Sequence, residues 1–379
     1  MRDIKSVKEF DFENIALLKG DTPDDIKEKC LQSCKDYLAH NWIQQTVDTI
    51  QFKRLSGGLS NQMYFVAISK PSTTSHVPQE VVIRIYGNKQ FNNLDNTDNE
   101  RLTDVIIAVM IADINLGPKI YGIFESGQIL HFYKHRQFRL NEQNDPKLST
   151  QLFRQLAKLH ALDVPIKRTN NWIFDYFDNF YEIGFRDFPI NELIDEYNCQ
   201  TLKTHDLKAE IEWLKSAIMR CKSPVVFTHI DFRGSNIMVT EPNDEILICD
   251  LEYSGYGYRG FDFGTIFVEW GRAFSDYNTF YTLPTDTVLE PLIKAYIEES
   301  VQIFGTKYSD NDNNSYNQIL KEAKIFCLVA FMWIIMYCIR NDENDDGMPV
   351  NKQVMLGMAE INYKNYFNLK ETLSQQNIL

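Results

Sequence analysis

In Phe227-Thr228-His229-Ile230-Asp231-Phe232-Arg233-Gly234-Ser235-Asn236 an aspartate follows a histidine by two residues and precedes an asparagine by five. An alcohol that attacks phosphorus needs a carboxylate to orient its hydroxyl and accept the proton, which Asp231 can supply. An amide oxygen five residues on, that of Asn236, can hold a divalent cation on the same side of the phosphates. Fourteen residues later the apolar run Ile246-Leu247-Ile248-Cys249 ends in Asp250, with Glu252 just beyond, so a second acidic group leaves the tip of a strand. A lone aspartate in a loop is ordinarily a cap or turn residue. The loop spacing together with the strand-end acid points to metal-assisted phosphoryl transfer to an alcohol.

Strands and helices must position these groups. Residues 22–40 open with Thr-Pro-Asp and carry apolar residues at helical spacing, so they read as a helix. Three strands follow around residues 51–55, 63–68 and 81–86, then a helix at about 100–114 stopped by Leu116-Gly117-Pro118. A hairpin over Glu125-Ser126-Gly127 joins 119–124 to 128–133. From about 148 the pattern is helical, at 148–162, 191–220, 286–304, 316–340 and 352–374, interrupted by a β insert from Val225 to Glu252. The expected fold is α+β: a small antiparallel β lobe over 1–133, with residues 1–50 a helical extension, and a large, mainly helical lobe over 134–379.

Composition narrows the class. The balance of 44% hydrophobic and 24% charged residues is that of a globular chain, and a formal charge of −13 argues against broad nucleic-acid binding. The seven cysteines are scattered without CxxC pairs, which suits reduced thiols in the cytoplasm. No signal peptide is visible at the N-terminus. The longest apolar run, Ile325 to Ile339, is short for a membrane span and reads as a buried helix, so no transmembrane segment is expected.

Beyond the loop, the sequence resembles the choline/ethanolamine kinase family. The resemblance rests on Cys249-Asp250-Leu251-Glu252-Tyr253-Ser254 and Tyr258-Arg259-Gly260-Phe261-Asp262-Phe263-Gly264, closing on Glu269-Trp270. Further matches are Ser56-Gly57-Gly58-Leu59-Ser60-Asn61, Val82-Ile83-Arg84-Ile85-Tyr86-Gly87 and Leu116-Gly117-Pro118-Lys119-Ile120-Tyr121-Gly122. It implies a two-lobed protein-kinase-like fold, ATP and Mg²⁺ as cofactors, and phosphorylation of choline or ethanolamine as the first step of phospholipid synthesis. By resemblance Asp231 is the base, while Asn236, Asp250 and Glu252 hold Mg²⁺. The turn carrying Ser56, Gly57, Gly58, Ser60 and Asn61 covers the phosphates, and Arg84 contacts them with Asp104 as its partner. His131, Phe132 and Tyr133 face adenine, with Arg136 just beyond. Asp262 braces the catalytic loop, and His229 and His160 are structural.

For the substrate cation, Glu269 lies in an apolar stretch where a carboxylate needs a partner, and the resemblance makes the ammonium that partner. Trp333 and Trp270, with Tyr253 and Tyr337, are the candidate aromatic faces. The family's second cage tryptophan falls on Met336. Two further departures are Ile230, where the family has Asn, and Arg233, where it has Gln; Arg233 either contacts phosphate or repels a cation. Alternatives that stay open are a kinase for another small hydroxylated metabolite and a catalytically weak binding or dimer partner. A homodimer is compatible with the resemblance.

Overall fold

A computed structural model describes residues 21–55, 61–72, 76–87, 100–272, 281–341 and 351–379. Chain contacts divide it into two compact units that meet in sequence between His135 and Arg136.

The first unit opens with α1 (Ile26–Leu38), followed by β1 (Ile50–Leu55), β2 (Asn61–Ile68), β3 (Glu80–Tyr86), α2 (Glu100–Asp113), β4 (Ile120–Phe124) and β5 (Gly127–His131). The five strands form one antiparallel sheet in the order β1-β2-β3-β5-β4. Strand β5 therefore enters beside β3, pairing Arg84 with Gln128, and the hairpin partner β4 lies at the edge. In α1, Ile26, Cys30, Cys34 and Leu38 recur at helical spacing and pack with Trp42, Tyr64, Val66, Ile83 and Ile129. Burial pushes the Cys30 thiol up to about 12, so the thiols of this helix act as small apolar side chains.

Strand β6 (His135–Gln137) starts at the last residue of the first unit, and the second unit goes on with α3 (Pro146–His160), α4 (Trp172–Asp187), α5 (Ile190–Glu196), α6 (Gln200–Thr204) and α7 (Leu207–Cys221). It continues through β7 (Val225–Thr228), β8 (Ile237–Thr240), β9 (Ile246–Ile248), β10 (Gly255–Tyr258), α8 (Gly260–Val268), α9 (Asp286–Phe304), α10 (Tyr316–Arg340) and α11 (Lys352–Gln375). Strands β6, β8 and β9 make one small sheet, and β10 pairs antiparallel with β7. Several features differ from expectation, β6 among them. Helix α4 had not been anticipated, nor had β10. The single helix expected over 191–220 is three helices, broken where Asn198 turns left-handed at φ 57° and where Asp206 caps α7 by accepting from the Ala209 N–H.

Helix α10 is the spine of this unit. Among the described residues it is the helix long and apolar enough to cross a membrane, and 83% of its apolar window is buried inside the protein. Helix α8 lies directly against it. A Cβ added at Gly264 would stand 2.2 Å from the Phe326 carbonyl oxygen, and one at Gly260 2.3 Å from the Phe326 ring. Only glycine admits that approach. Just before α8, buried Arg259 forks onto Glu322 of α10 through Nη2–Oε1 at 2.7 Å and Nε–Oε2 at 3.0 Å. Both ends of that contact are charged and paired, which is what burial of such groups demands.

Candidate active site

One face of α8 holds the loop from His229 to Asn236. The Asp262 carboxylate accepts the His229 N–H at 2.7 Å and the Ile230 N–H at 2.9 Å, one on each oxygen. The Thr265 hydroxyl donates to the Phe232 carbonyl at 3.1 Å, and Glu269 accepts the Gly234 N–H. Asp262, Thr265 and Glu269 follow at i, i+3 and i+7, so a single stripe of the helix supplies every one of these bonds. The bracing role expected of Asp262 is thus visible in the backbone bonds it accepts.

Asp262 is itself fixed by His160 at the end of α3. His160 Nε2 lies 3.1 Å from Asp262 Oδ2, and Nδ1 lies 3.0 Å from the Tyr296 hydroxyl. A carboxylate only accepts, so Nε2 carries the proton and Nδ1 accepts from Tyr296. Burial holds the imidazole pKa below its ordinary value, against the opposing pull of Asp262. Its neutral form is therefore the one that suits the site. The braced Ile230 has φ 74°, a left-handed conformation that a β-branched side chain rarely adopts. The two bonds into Asp262 hold it there.

The loop presents Asp231 with its side chain 37% exposed. Its Oδ2 accepts from Asn236 Nδ2 at 2.7 Å, and the same Nδ2 donates to the Asp231 carbonyl at 2.9 Å. That orientation turns the Asn236 amide oxygen away from Asp231. The loop is also tied to the β8–β9 hairpin, since the Cys249 N–H donates to the Asn236 carbonyl at 3.0 Å and His229 Nε2 meets the Cys249 carbonyl at 2.9 Å. Asp250 follows immediately in left-handed conformation at φ 60°, and Glu252 is buried two residues on. Asp231, Asn236 and Asp250 are thereby brought to one end of the hairpin.

Arg233 Nε stands 3.2 Å from Asp231 Oδ1. Glu269, half-buried at the end of α8, has its pKa pushed up by burial, pulled down by Arg233, pushed up by Asp231 and pulled down by Arg272.

The aromatic candidates separate. Trp333 stacks on Tyr176 at 3.7 Å with planes 14° apart, and meets Trp172 and Phe261 edge-on at 5.7 and 5.6 Å. Tyr253 and Tyr337 both act electrostatically on the Tyr176 hydroxyl, which puts them beside the same wall. Met336 is 0% exposed, so it does not reach this surface; the half-buried residue one turn after Trp333 is Tyr337. Trp270 does not join the wall either. It is 5% exposed and packs among Phe138, Phe153 and Phe267. Phe261 and Glu269 are eight residues apart on α8, so the wall and the carboxylate are anchored roughly 12 Å from each other. Trp172 and Tyr176 were not foreseen, although with Phe180 they recur at every fourth residue.

In the first unit, Ser56, Gly57, Gly58 and Ser60 lie outside the described residues. Asn61 opens β2, and its Oδ1 accepts the Gly87 N–H at 3.4 Å. Arg84 and Asp104 both act on the Tyr86 hydroxyl, whose pKa is raised chiefly by burial; Arg84 lowers it and Asp104 raises it. Asp104 also pairs with Arg101 at 3.3 Å. His131 Nδ1 and the Tyr121 hydroxyl share a hydrogen bond at 2.8 Å, Tyr133 lies edge-on to His131 at 4.4 Å, and Phe132 packs on Phe65 at 4.6 Å. In the second unit, Arg136 commits Nε to Glu142 at 2.6 Å and Nη2 to Asp244 at 2.8 Å, a clamp that ties it into its own unit.

Known proteins bear directly on this arrangement. The choline/ethanolamine kinase family model matches residues 52–372. A rat choline/ethanolamine kinase is 31% identical over 255 residues, covering 65% of this chain and 61% of the relative, so the match spans less than two thirds of that protein. The human choline/ethanolamine kinase is 29% identical over 322 residues, covering 82% of this chain and 78% of the relative. A solved choline kinase from Cryptosporidium parvum superposes with TM-score 0.68 at 18% identity, over 93% of this chain and 97% of its own, which shows the protein-kinase-like fold. The chain belongs to the choline/ethanolamine kinase family.

Proposed function

We propose that this protein transfers the γ-phosphate of ATP to the hydroxyl of choline, ethanolamine or both, giving the phosphomonoester and ADP. The observation that carries the reading is Asp231, a half-exposed carboxylate on a loop whose neighbouring backbone groups are bonded to α8. In this reading the substrate hydroxyl bonds to Asp231 and gives up its proton there as its oxygen forms the new bond to phosphorus. The bond from the γ-phosphorus to the bridging oxygen breaks, and ADP leaves.

The donor set of Asn236, Asp250 and Glu252 is all hard oxygen, which fits Mg²⁺ rather than zinc. Mg²⁺ held there neutralises phosphate charge. Arg84 is the proposed phosphate contact and Glu269 the proposed counter-charge for the ammonium. The Trp333 wall is proposed as the apolar side of the amine site. All seven cysteines are free, which fits a cytoplasmic location.

The test is ADP release with Mg²⁺ and a panel of small alcohols, with unfolding followed in parallel. Choline or ethanolamine should be the preferred acceptor, and Asp231→Ala and Asp250→Ala should each lower turnover by roughly a thousandfold with the fold kept. Near-parental turnover in either variant at saturating Mg²⁺ would remove that residue from its role.

A further inference from the structure

Two acids and two guanidiniums gather around the end of α8. Asp231 and Glu269 carry the negative charges, and Arg233 and Arg272 the positive ones.

Their settings differ. Arg272 is pinned, with Nε donating to the Val268 carbonyl at 2.7 Å and its guanidinium lying 5.6 Å over the Tyr281 ring and 5.8 Å over Phe331. Arg233 sits on the loop itself, its side chain 26% exposed, with Nε 3.2 Å from Asp231 Oδ1. The other oxygen of Asp231 accepts from Asn236. A substrate hydroxyl that approaches Asp231 through Oδ1 therefore meets Arg233 first. Glu269 lies within the field of the same guanidinium.

We infer that Arg233 is a built-in rival of the substrate cation, the residue that sets how strongly this site favours a charged amine over an uncharged alcohol of the same shape. An ammonium entering between Asp231 and Glu269 must displace the guanidinium or share its field, and like charges at such separations repel. An uncharged alcohol meets only the steric part of that barrier. The inference rests on the amino-alcohol reading above and adds what tunes it.

The experiment compares choline with neohexanol, its uncharged carbon isostere, in the parent, Arg233→Gln and Arg233→Lys. KM is measured for choline, Ki or KM for neohexanol, and KM for ATP. Arg233→Gln should lower the choline KM about tenfold, which corresponds to about 1.4 kcal/mol. The neohexanol constant and the ATP KM should stay within about twofold of the parent, and Arg233→Lys, which keeps the positive charge, should lower the choline KM far less than Arg233→Gln does. Equal shifts for choline and neohexanol would make the effect steric and overturn the inference. A raised ATP KM with unmoved amine constants would make Arg233 a phosphate ligand and overturn it too. Amine turnover with an unchanged choline KM in Arg233→Gln sinks the inference alone. Turnover of another alcohol, with no choline or ethanolamine activity in any variant, sinks the proposed function and the inference with it.

Discussion

The loop from His229 to Asn236 and the wall around Trp333 are built in opposite ways. The loop is held by polar bonds to its backbone: Asp262 takes two consecutive N–H groups, Thr265 reaches the Phe232 carbonyl, and His160 locks Asp262 in turn. The wall carries hydrogen bonds from the Tyr176 hydroxyl to the Trp333 carbonyl at 3.2 Å and from Trp172 Nε1 to the Tyr256 carbonyl at 3.0 Å, and the contacts among its rings from α4, α8 and α10 are ring against ring. Directional bonds to backbone fix where a catalytic carboxylate points. Aromatic packing fixes a surface but tolerates change in its individual rings. Chemistry and substrate affinity should therefore respond to different substitutions.

The largest effect expected is that of Asp262→Ala, which leaves the His229 and Ile230 N–H groups buried without their acceptor. Each such orphan costs about 1–3 kcal/mol. Urea unfolding should show a loss of about 2–6 kcal/mol, and kcat should fall with it. If kcat survives in the folded fraction, α8 does not aim the loop. Tyr176→Leu should act on the other side of the comparison. It removes the ring stacked under Trp333, a pair worth about 0.5–1.5 kcal/mol, so the amine KM should rise by roughly two- to tenfold with kcat little changed. An unmoved KM with lowered stability would make the wall core and nothing more. The smallest effect is that of Ile230→Asn. Asn tolerates left-handed backbone where a β-branched residue is strained, so unfolding should require about 1 kcal/mol more. A loss of stability instead would mean that burial of the Ile230 side chain outweighs its strain.

The same contrast explains what could be read in the sequence. The loop and the hairpin acid lie within one contiguous stretch, so spacing alone brings Asp231, Asn236 and Asp250 forward. Strands β2 and β3 of the first unit announce themselves by short apolar runs bounded by turn residues. The wall joins Trp172 and Tyr176 to Trp333, about 160 positions apart, and no local pattern links them. Helix α4 is also blurred, because Phe174, Tyr181 and Phe185 put aromatics on its half-exposed side as well. In α10 nearly every position from Ala323 to Met332 is buried, so periodicity cannot tell which face looks outward. The resemblance places Met336 at a cage position, whereas Tyr337 holds the partly exposed one. Trp270 misled for a simpler reason: proximity to Glu269 in sequence carries no information about side-chain direction at a helix end.

The glycines at 260 and 264 turn two working parts into a calliper with a fixed jaw. Helix α8 carries the grip on the loop and α10 carries Trp333 of the wall, and Gly264 meets the Phe326 backbone while Gly260 meets the Phe326 ring, with no α8 side chain between at either point. Drawing the helices closer is blocked by contact already made. Spreading them would open an empty seam and forfeit its dispersion energy. The gap available to a substrate is thus not an adjustable dimension of this fold. A descendant that needed a larger or smaller amine could reach it only by exchanging the side chains on the rim, with the distance between the two helices inherited unchanged.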